Sequence, residues 1–400
     1  MKNDKTRDFI EKNLDTDVRQ LALKGCRDKE VDFDMALYQI AGRQTARKKL
    51  PSWATLDEIL YPPHLNMEQC SSEQTARYKA DICRRLLKSP FTLHPSPFTN
   101  LVDLTGGFGV DFAFMSEAFN EATYIERNSE LFAISSKNLS LLVPKARCIN
   151  SDGVEILHEL DHVSMIFLDP ARRDTHGART YGISDCTPNV LEIKDELLQK
   201  ADVVMLKLSP MLDWRKAISD LGEQYVKEVH IVSVQNECKE LLIVMQKEAG
   251  EMTLHCVNND DDFVVSPSSF TQSPNHLPHA PQNYLYEPNA SIMKAGCFAE
   301  VEQAFQVRQL APNSHLFVSD NLVSNFPGRQ FCISAITSMN KQELKTALKD
   351  IQKANITTRN FPMSVAELRK KLKLSEGGND YIFATTLAEG KKVLIVCQHL

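Results

Sequence analysis

An apolar segment runs into a glycine cluster at Leu101-Val102-Asp103-Leu104-Thr105-Gly106-Gly107-Phe108-Gly109-Val110-Asp111, and a helix-like stretch from Phe112 to Phe119 follows. A strand, a tight turn and a helix in that order open a nucleotide-binding α/β unit. Glycine lets a ligand pass close over the backbone, where a side chain would fill the space. A second apolar run ends at Tyr124-Ile125-Glu126. Its acid lies about 20 residues past the loop, where a carboxylate can accept both hydroxyls of a ribose. A plain strand-to-helix turn would also carry these glycines, so the loop needs support from the rest of the chain.

Asp103 before the loop and Asp111 after it separate two kinds of nucleotide. A dinucleotide site seats a pyrophosphate on the helix N-terminus, and two carboxylates there would repel it. An adenosyl ligand bearing a cationic sulfonium and ammonium suits the loop better. The ordinary reading of Asp111 is a favourable charge in the first helical turn. Further along, Ala146 to Asp152 reads as a third strand ending in an acid. Asp152 either accepts from an adenine amino group or caps the helix from Gly153 to Leu160. Met165-Ile166-Phe167-Leu168 then runs into Asp169-Pro170-Ala171-Arg172. Ligands of open α/β sheets bind outside the carboxyl ends of the strands. Four successive strands therefore deliver Thr105 to Gly109, Glu126, Asp152 and Asp169 to one rim.

These residues resemble the motifs of the class I S-adenosylmethionine-dependent methyltransferases. Asp103 to Gly109 looks like their first motif, Glu126 like their ribose acid and Asp152 like their adenine-side acid. Asp169-Pro170-Ala171-Arg172 looks like their fourth motif. The whole chain resembles bacterial THUMP-like methyltransferases, a group placed among RNA methylases. The stretches that carry this narrower resemblance are Glu68 to Lys79, Asp169 to Asp174, Tyr286 to Ala290, Thr358 to Pro362 and Gly377 to Tyr381. The resemblance implies an α/β fold: a Rossmann-like seven-stranded methyltransferase core with one strand reversed near the edge. It also implies small C-terminal α+β modules, ferredoxin-like and then THUMP-like. The expected cofactor is S-adenosylmethionine, held by Asp103, Thr105, Gly106, Gly107, Gly109, Asp111, Glu126, Asp152 and Asp169. The expected reaction is methylation of a base amino nitrogen in transfer or ribosomal RNA.

Asp169 and the carbonyl of Pro170 are the candidate catalytic groups. They can grip an exocyclic amino group and aim its lone pair at the methyl carbon. The chain departs from the amino-methylase pattern, which ends this motif with a base-stacking aromatic; here Ala171 and Arg172 follow. A guanidinium can stack on a base or hold a phosphate, or Arg172 and Arg173 can simply pair with Asp174 on the surface. Carbon-5 uracil methylases also carry an Asp-Pro-Pro-Arg motif but need a cysteine after the next strand. Leu206-Lys207-Leu208-Ser209-Pro210 has none. Two other readings stay open: methylation of a small molecule or protein on the same core, and an RNA-binding protein that keeps the cofactor without catalysis.

Lys341 to Lys373 holds nine bases and three acids, a net +6, so the rest of a chain whose formal charge is -6 carries -12. Nucleic-acid binding needs only such a local basic surface. Candidate RNA contacts are Arg172, Arg173, Lys349, Arg359, Arg369, Lys370 and Lys371. Lys341, Lys345, Lys349 and Lys353 are spaced as one helix face, which solvation alone explains as well. Arg43, Arg47, Lys48 and Lys49 with Trp53 form a second basic group that can grip phosphates and stack a base, although a solvated helix end is the simpler account. RNA is the expected partner, with no DNA and no membrane.

The ten cysteines form no C-x-x-C pair and no zinc-spaced cluster with histidine, so no structural metal and no disulfide are expected. No apolar run approaches the roughly 20 residues of a membrane span, and the mixed-charge N-terminus lacks a signal-peptide core. A cytoplasmic protein is expected. The chain divides into an N-terminal helical region (1–95), the methyltransferase core (96–270), a ferredoxin-like module (282–325) and a THUMP-like module (326–400). Helices are predicted over Asp8–Leu23, Phe33–Lys48 and Glu73–Leu87. The core strands centre on Val102, Tyr124, Cys148, Phe167, Met205, Ile231 and Val264. The segment from Ser266 to Pro281 reads as a linker, and its His276 and His279 lack a third ligand. After it, a strand at Tyr284, a helix from Ala290 to Phe305 and strands at His315, Phe331, Tyr381 and Lys392 are expected, with a helix from Val365 to Leu372.

Overall fold

A computed structural model describes residues 3–87, 99–172, 182–266 and 283–400, with only the backbone of Arg172. Arg173, Asp174, His276 and His279 lie outside the described residues. Two compact units divide the chain: residues 1–228 with 241–250, and residues 229–240 with 251–400.

The first unit begins with helices Asp4–Asn13, Val18–Lys24, Phe33–Lys49, Pro51–Ala54, His64–Gln69 and Glu73–Leu87. The helix predicted over Asp8–Leu23 is two. Asp17 starts the second by accepting the N–H of Gln20 at 2.9 Å, the usual job of an N-cap aspartate. The helix Glu73–Leu87 forms as its pattern predicts, with Ser72 Oγ accepting from the Thr75 N–H at 3.2 Å. Its buried stripe includes Ala76, Ala80, Cys83 and Leu86, and also Lys79.

Strands β1 (Asn100–Asp103), β2 (Glu121–Ile125), β3 (Ala146–Ile149) and β4 (Val163–Leu168) follow. Next come the short pair β5 (Ala171–Arg172) and β6 (Cys186–Thr187), then β7 (Ala201–Leu208), β8 (Val226–Val234) and β9 (Glu237–Met245). The order β7-β4-β1-β2-β3 is parallel throughout. Residues 241–245 of β9 run antiparallel to β7, with Leu208 opposite Leu241 and Val204 opposite Met245. The order reverses at β1, between β4 and β2, which opens the crevice such sheets use for ligands. β9 is absent from the seven strand centres read in the sequence. The β8–β9 turn explains why: Gln235 and Asn236 both take positive φ, 51° and 62°, the geometry of a tight hairpin that usually advertises itself as Asn-Gly.

In the second unit, β10 (Thr253–Asn258) pairs antiparallel with β11 (Asp261–Val265) beside residues 229–234 of β8. β12 (Tyr284–Pro288), β13 (Arg308–Gln309), β14 (Phe317–Ser319), β15 (Gly328–Thr337), β16 (Asn355–Arg359), β17 (Asp380–Thr386) and β18 (Lys392–His399) form one sheet. Its order is β13-β14-β12-β15-β18-β17-β16, with only β16 and β17 parallel. Leu285, Leu316 and Val318 share one core with Phe331, Phe383, Ile395 and Cys397. The helix predicted over Ala290–Phe305 is broken by Gly296 at φ 69° into Ala290–Ala295 and Phe298–Phe305. The four-lysine helix face does not form. The helix Lys341–Ala347 closes when Leu348 N–H bonds the Leu344 carbonyl, and Lys349 and Lys353 lie beyond it. Among the described residues no helix is long and apolar enough to cross a membrane.

Candidate active site

The loop after β1 is tied down from several sides. Asp103 Oδ1 accepts the Thr105 N–H at 2.9 Å. The Gly106 N–H bonds the Ile125 carbonyl at 2.8 Å, and the Gly107 N–H bonds Glu126 Oε2 at 2.8 Å. The hydroxyls of Tyr124 and Ser135 both donate to the Gly107 carbonyl. A Cβ on Gly106 would sit 2.1 Å from the Tyr124 ring, so packing beneath the loop requires glycine there. Gly107 and Gly109 hold φ of +56° and +82°, which β-carbon-bearing residues resist. Above Gly107 a Cβ would meet nothing nearer than the Thr105 carbonyl at 3.8 Å. That open side is where a ligand can approach. Gly106→Ala is expected to displace the Tyr124 ring, weaken S-adenosylmethionine binding at least about tenfold and cost about 1–3 kcal/mol of stability. Calorimetric titration and thermal unfolding check both.

Burial sorts the candidate cofactor residues into two layers. Thr105, Gly106, Gly107, Glu126, Asp152 and Asp169 are half-buried on the rim at the carboxyl ends of β1 to β4. Asp103, Gly109 and Asp111 are buried beneath them. Glu126 Oε1 also accepts the Asn128 N–H at 2.6 Å. Asp152 caps the helix Gly153–Glu159 through the Val154 N–H at 2.8 Å. Thr105 Oγ1 accepts the Asp169 N–H at 2.6 Å, which joins the glycine loop directly to the Asp-Pro segment after β4.

Under the rim lies a charged cluster. Lys79, with a fully buried side chain, sits 3.2 Å from Asp111 Oδ1. Lys207 Nζ lies 3.3 Å from Asp111 Oδ2 and 2.5 Å from Asp169 Oδ2. The Ser71 hydroxyl donates to Asp111 Oδ2 at 2.7 Å. Burial pushes up on the Asp111 carboxyl, but the two ammoniums and the Ser71 hydroxyl together hold it below the usual carboxylate range. Burial drives Asp103 well above that range, against the Thr105 N–H, with Asp111 and Asp169 adding to the rise. On sequence alone Asp111 suits a cationic ligand; in the structure its carboxylate faces Lys79 and Lys207 and accepts from the Ser71 hydroxyl. Neither lysine was singled out from the sequence. The available signal was position: Lys79 falls on the apolar stripe of a helix, and Lys207 lies inside the buried run Val203–Leu208. Lysine is almost never fully buried unless paired.

The basic candidates meet different fates. Trp53 is 3% exposed and packs edge-on against Phe108 at 5.4 Å, so it offers no stacking face for a base. Near it, Arg43 pairs with Asp57, Arg47 with Asp15, and Lys49 bonds the carbonyls of Met67 and Glu68. In the second unit Arg359 donates to Glu287 Oε1 at 2.9 Å, alongside Arg329 on Oε2. Arg369 donates to the Ala354 carbonyl at 3.0 Å. Lys349, Lys370 and Lys371 are exposed.

A parallel sheet with its order reversed at β1, a glycine loop there and carboxylates at the ends of β2, β3 and β4 define a class I methyltransferase type of site. Comparison with known proteins agrees. Residues 328–399 match the model of a THUMP domain-like family, and residues 284–327 match that of a ferredoxin-like domain. The crystal structure of a proposed methyltransferase from Porphyromonas gingivalis W83 superposes with a TM-score of 0.83 at 30% identity, covering 98% of this chain and 97% of that one. The chain belongs to the THUMP-like class I S-adenosylmethionine-dependent methyltransferases. A SAM-dependent methyltransferase from Agrobacterium tumefaciens (TM-score 0.33, 16% identity, 45% of this chain and 64% of that one) is too loose a match to assign residues. The same holds for an rRNA methylase from Streptococcus thermophilus (0.32, 14%, 43% and 95%). No curated protein matched. The site fits S-adenosylmethionine: the backbone is open above Gly107, and the half-buried carboxylates of Glu126 and Asp152 stand at the neighbouring strand ends.

Proposed function

We propose that this enzyme methylates an amino nitrogen of a base in RNA. The observation that carries the reading is the 2.6 Å bond from the Asp169 N–H to Thr105 Oγ1. It sets the acceptor motif at a fixed distance from the cofactor loop, and fixed geometry is most of what such a displacement needs. Bound S-adenosylmethionine supplies an electrophilic methyl carbon. Glu126 receives ribose hydroxyls, and Asp152 receives an adenine N–H. Asp169 Oδ1 and the Pro170 carbonyl accept the two hydrogens of the acceptor amino group, which turns its lone pair toward the methyl carbon. The N–C bond would form as the methyl–sulfur bond breaks and the sulfonium leaves as the neutral thioether; the nitrogen becomes cationic, and the Asp169 carboxylate is placed to stabilise that charge and take the proton.

The basic stretch between Lys341 and Lys373 supports an RNA acceptor, with Lys349, Lys370 and Lys371 as phosphate contacts; Arg172 and Arg173 stay further candidates from the sequence alone. Arg359 and Arg369 already hold internal partners and contribute by shaping that surface. The proposed organisation keeps the catalytic core within 96–270, preceded by helices and followed by the two matched C-terminal segments. Mass spectrometry of nucleosides from cells with and without the protein tests the reading: one methylated base should vanish from one RNA class. An unchanged nucleoside profile argues against it. Reversing Lys349, Lys370 and Lys371 to glutamate is expected to weaken binding of that RNA at least about thirtyfold. It should also reduce the salt dependence by roughly two to three ions, with S-adenosylmethionine affinity unchanged.

A further inference from the structure

We propose that Lys207 is a positioning residue for methyl transfer, a clamp that fixes the carboxylate of Asp169 in the orientation the acceptor needs. The inference rests on Asp169 receiving the acceptor amino group, as proposed above. The clamp begins in the sheet. β4 and β7 are parallel neighbours with Leu168 beside Leu206, so the next residues, Asp169 just past the end of β4 and Lys207 near the end of β7, come side by side. Lys207 is 11% exposed and Asp169 is 40% exposed. The pair thus runs from the protein interior to the rim.

A lysine on a flexible four-carbon stem is a poor clamp unless its own head is fixed. Here it is. Asp111 lies 3.3 Å away on the inner side. Asp111 is itself held by Lys79 at 3.2 Å and by the Ser71 hydroxyl at 2.7 Å. The chain Lys79–Asp111–Lys207–Asp169 alternates in sign, two positive and two negative groups. Asp169 is the most exposed of the four. Asp103, which faces Asp111 and Asp169, is buried, and burial drives its carboxyl well above the usual range.

Two anchors define the Asp169 group. Its backbone N–H is fixed on Thr105 Oγ1 and its Oδ2 on Lys207. Oδ1 carries no hydrogen bond among the described residues. A carboxylate with one oxygen clamped presents the other in a single direction, and orientation to within a fraction of an ångström is what separates a reactive pose from a bound one. Lys207 never touches the acceptor; it acts through Asp169.

The test compares Lys207→Met, which keeps length without charge, with Lys207→Arg, which restores a cation. RNA from cells lacking the protein and labelled S-adenosylmethionine are the substrates, and the unliganded variants are also crystallised. For Lys207→Met we expect kcat to fall at least a hundredfold, KM for S-adenosylmethionine to stay within threefold, and the Asp169 carboxylate to rotate from its wild-type position. Lys207→Arg is expected to recover at least tenfold of the loss. A purely structural lysine would instead lower stability with kcat per folded molecule unchanged. A Lys207→Met enzyme with wild-type kcat, or with Asp169 unmoved, overturns the clamp. If Lys207→Met does not fold, Asp111→Asn removes the inner anchor and must show the same selective fall in kcat; wild-type kcat there is equally fatal. Asp169→Ala separates the two layers. If that variant is inactive while Lys207→Met is fully active, the clamp alone fails. If Asp169→Ala is fully active, or the wild type transfers no methyl to RNA, the acceptor reading fails and the clamp falls with it.

Discussion

Asp169→Ala is expected to lower methyl transfer by about a thousandfold or more while S-adenosylmethionine still binds. The size follows from two losses that act only as the new bond forms. One is the oriented acceptor for the amino N–H; the other is the negative charge beside a nitrogen becoming cationic. Each is worth about 10²–10³ in comparable active sites. Cofactor affinity survives because the glycine loop keeps its other ties: Asp103 to Thr105, Glu126 to Gly107, and Tyr124 and Ser135 to the Gly107 carbonyl. Asp169→Asn is the finer variant. It keeps the shape and can still accept one hydrogen bond, but it puts an N–H against either Lys207 or the acceptor and removes the charge. Its rate should be close to that of the alanine variant. Transfer of labelled methyl to RNA from cells lacking the protein, together with calorimetric cofactor binding, reads both quantities. Full activity in either variant removes the amino-acceptor model.

Lys79→Ala has the largest expected effect on folding. The side chain is fully buried and faces a carboxylate at 3.2 Å. Removing one partner of a buried pair leaves the other without compensation, at about 3–5 kcal/mol, and the lost aliphatic stem adds to the cost. A fall in unfolding temperature of roughly 10 °C follows for a unit of this size. Lys79→Met, which refills the volume, should still lose most of that stability if charge is the cause. Equal stability in wild type and Lys79→Met would show that the stem matters and the ammonium does not. The same cluster gives acid sensitivity a direction. Lys79, Lys207 and Ser71 outweigh burial and keep the folded Asp111 pKa below normal. A depressed carboxylate contributes stability that is complete above the unfolded value of about 3.9. That stability is lost as pH falls through the folded value. Asp111→Asn should therefore flatten the acid limb of the stability curve below about pH 4.

Much of the core was legible because its signals are local. The run Leu101–Asp111 shows strand, turn and helix in eleven residues, and the acids after β2, β3 and β4 follow at strand ends. Parallel strands buried on both faces read as continuous apolar runs, as Met165–Leu168 does. The hairpin β8–β9 was not legible, because its Gln-Asn turn lacks the usual glycine and the antiparallel return breaks the strand–helix alternation. The buried cluster was invisible for a different reason. Lys79, Asp111, Lys207 and Asp169 are far apart in the chain, and nothing in one sequence says which lysine of 46 basic residues is paired out of water. Arg43, Arg47 and Lys49 form a basic group on paper, yet each has an internal partner.

The C-terminal sheet limits how this enzyme can be taken apart. The boundary between the two matched segments falls at residues 327 and 328, yet β12 from one side is hydrogen-bonded along its full length to β15 from the other. Neither half is a portable cassette. Deleting residues 326–400 to ask whether they recognise a substrate would strip β12 of a neighbour, expose the apolar side chains of Leu285 and Val318, and produce a sticky, misfolded remnant. Surface charge substitutions are the manipulations whose results can be interpreted.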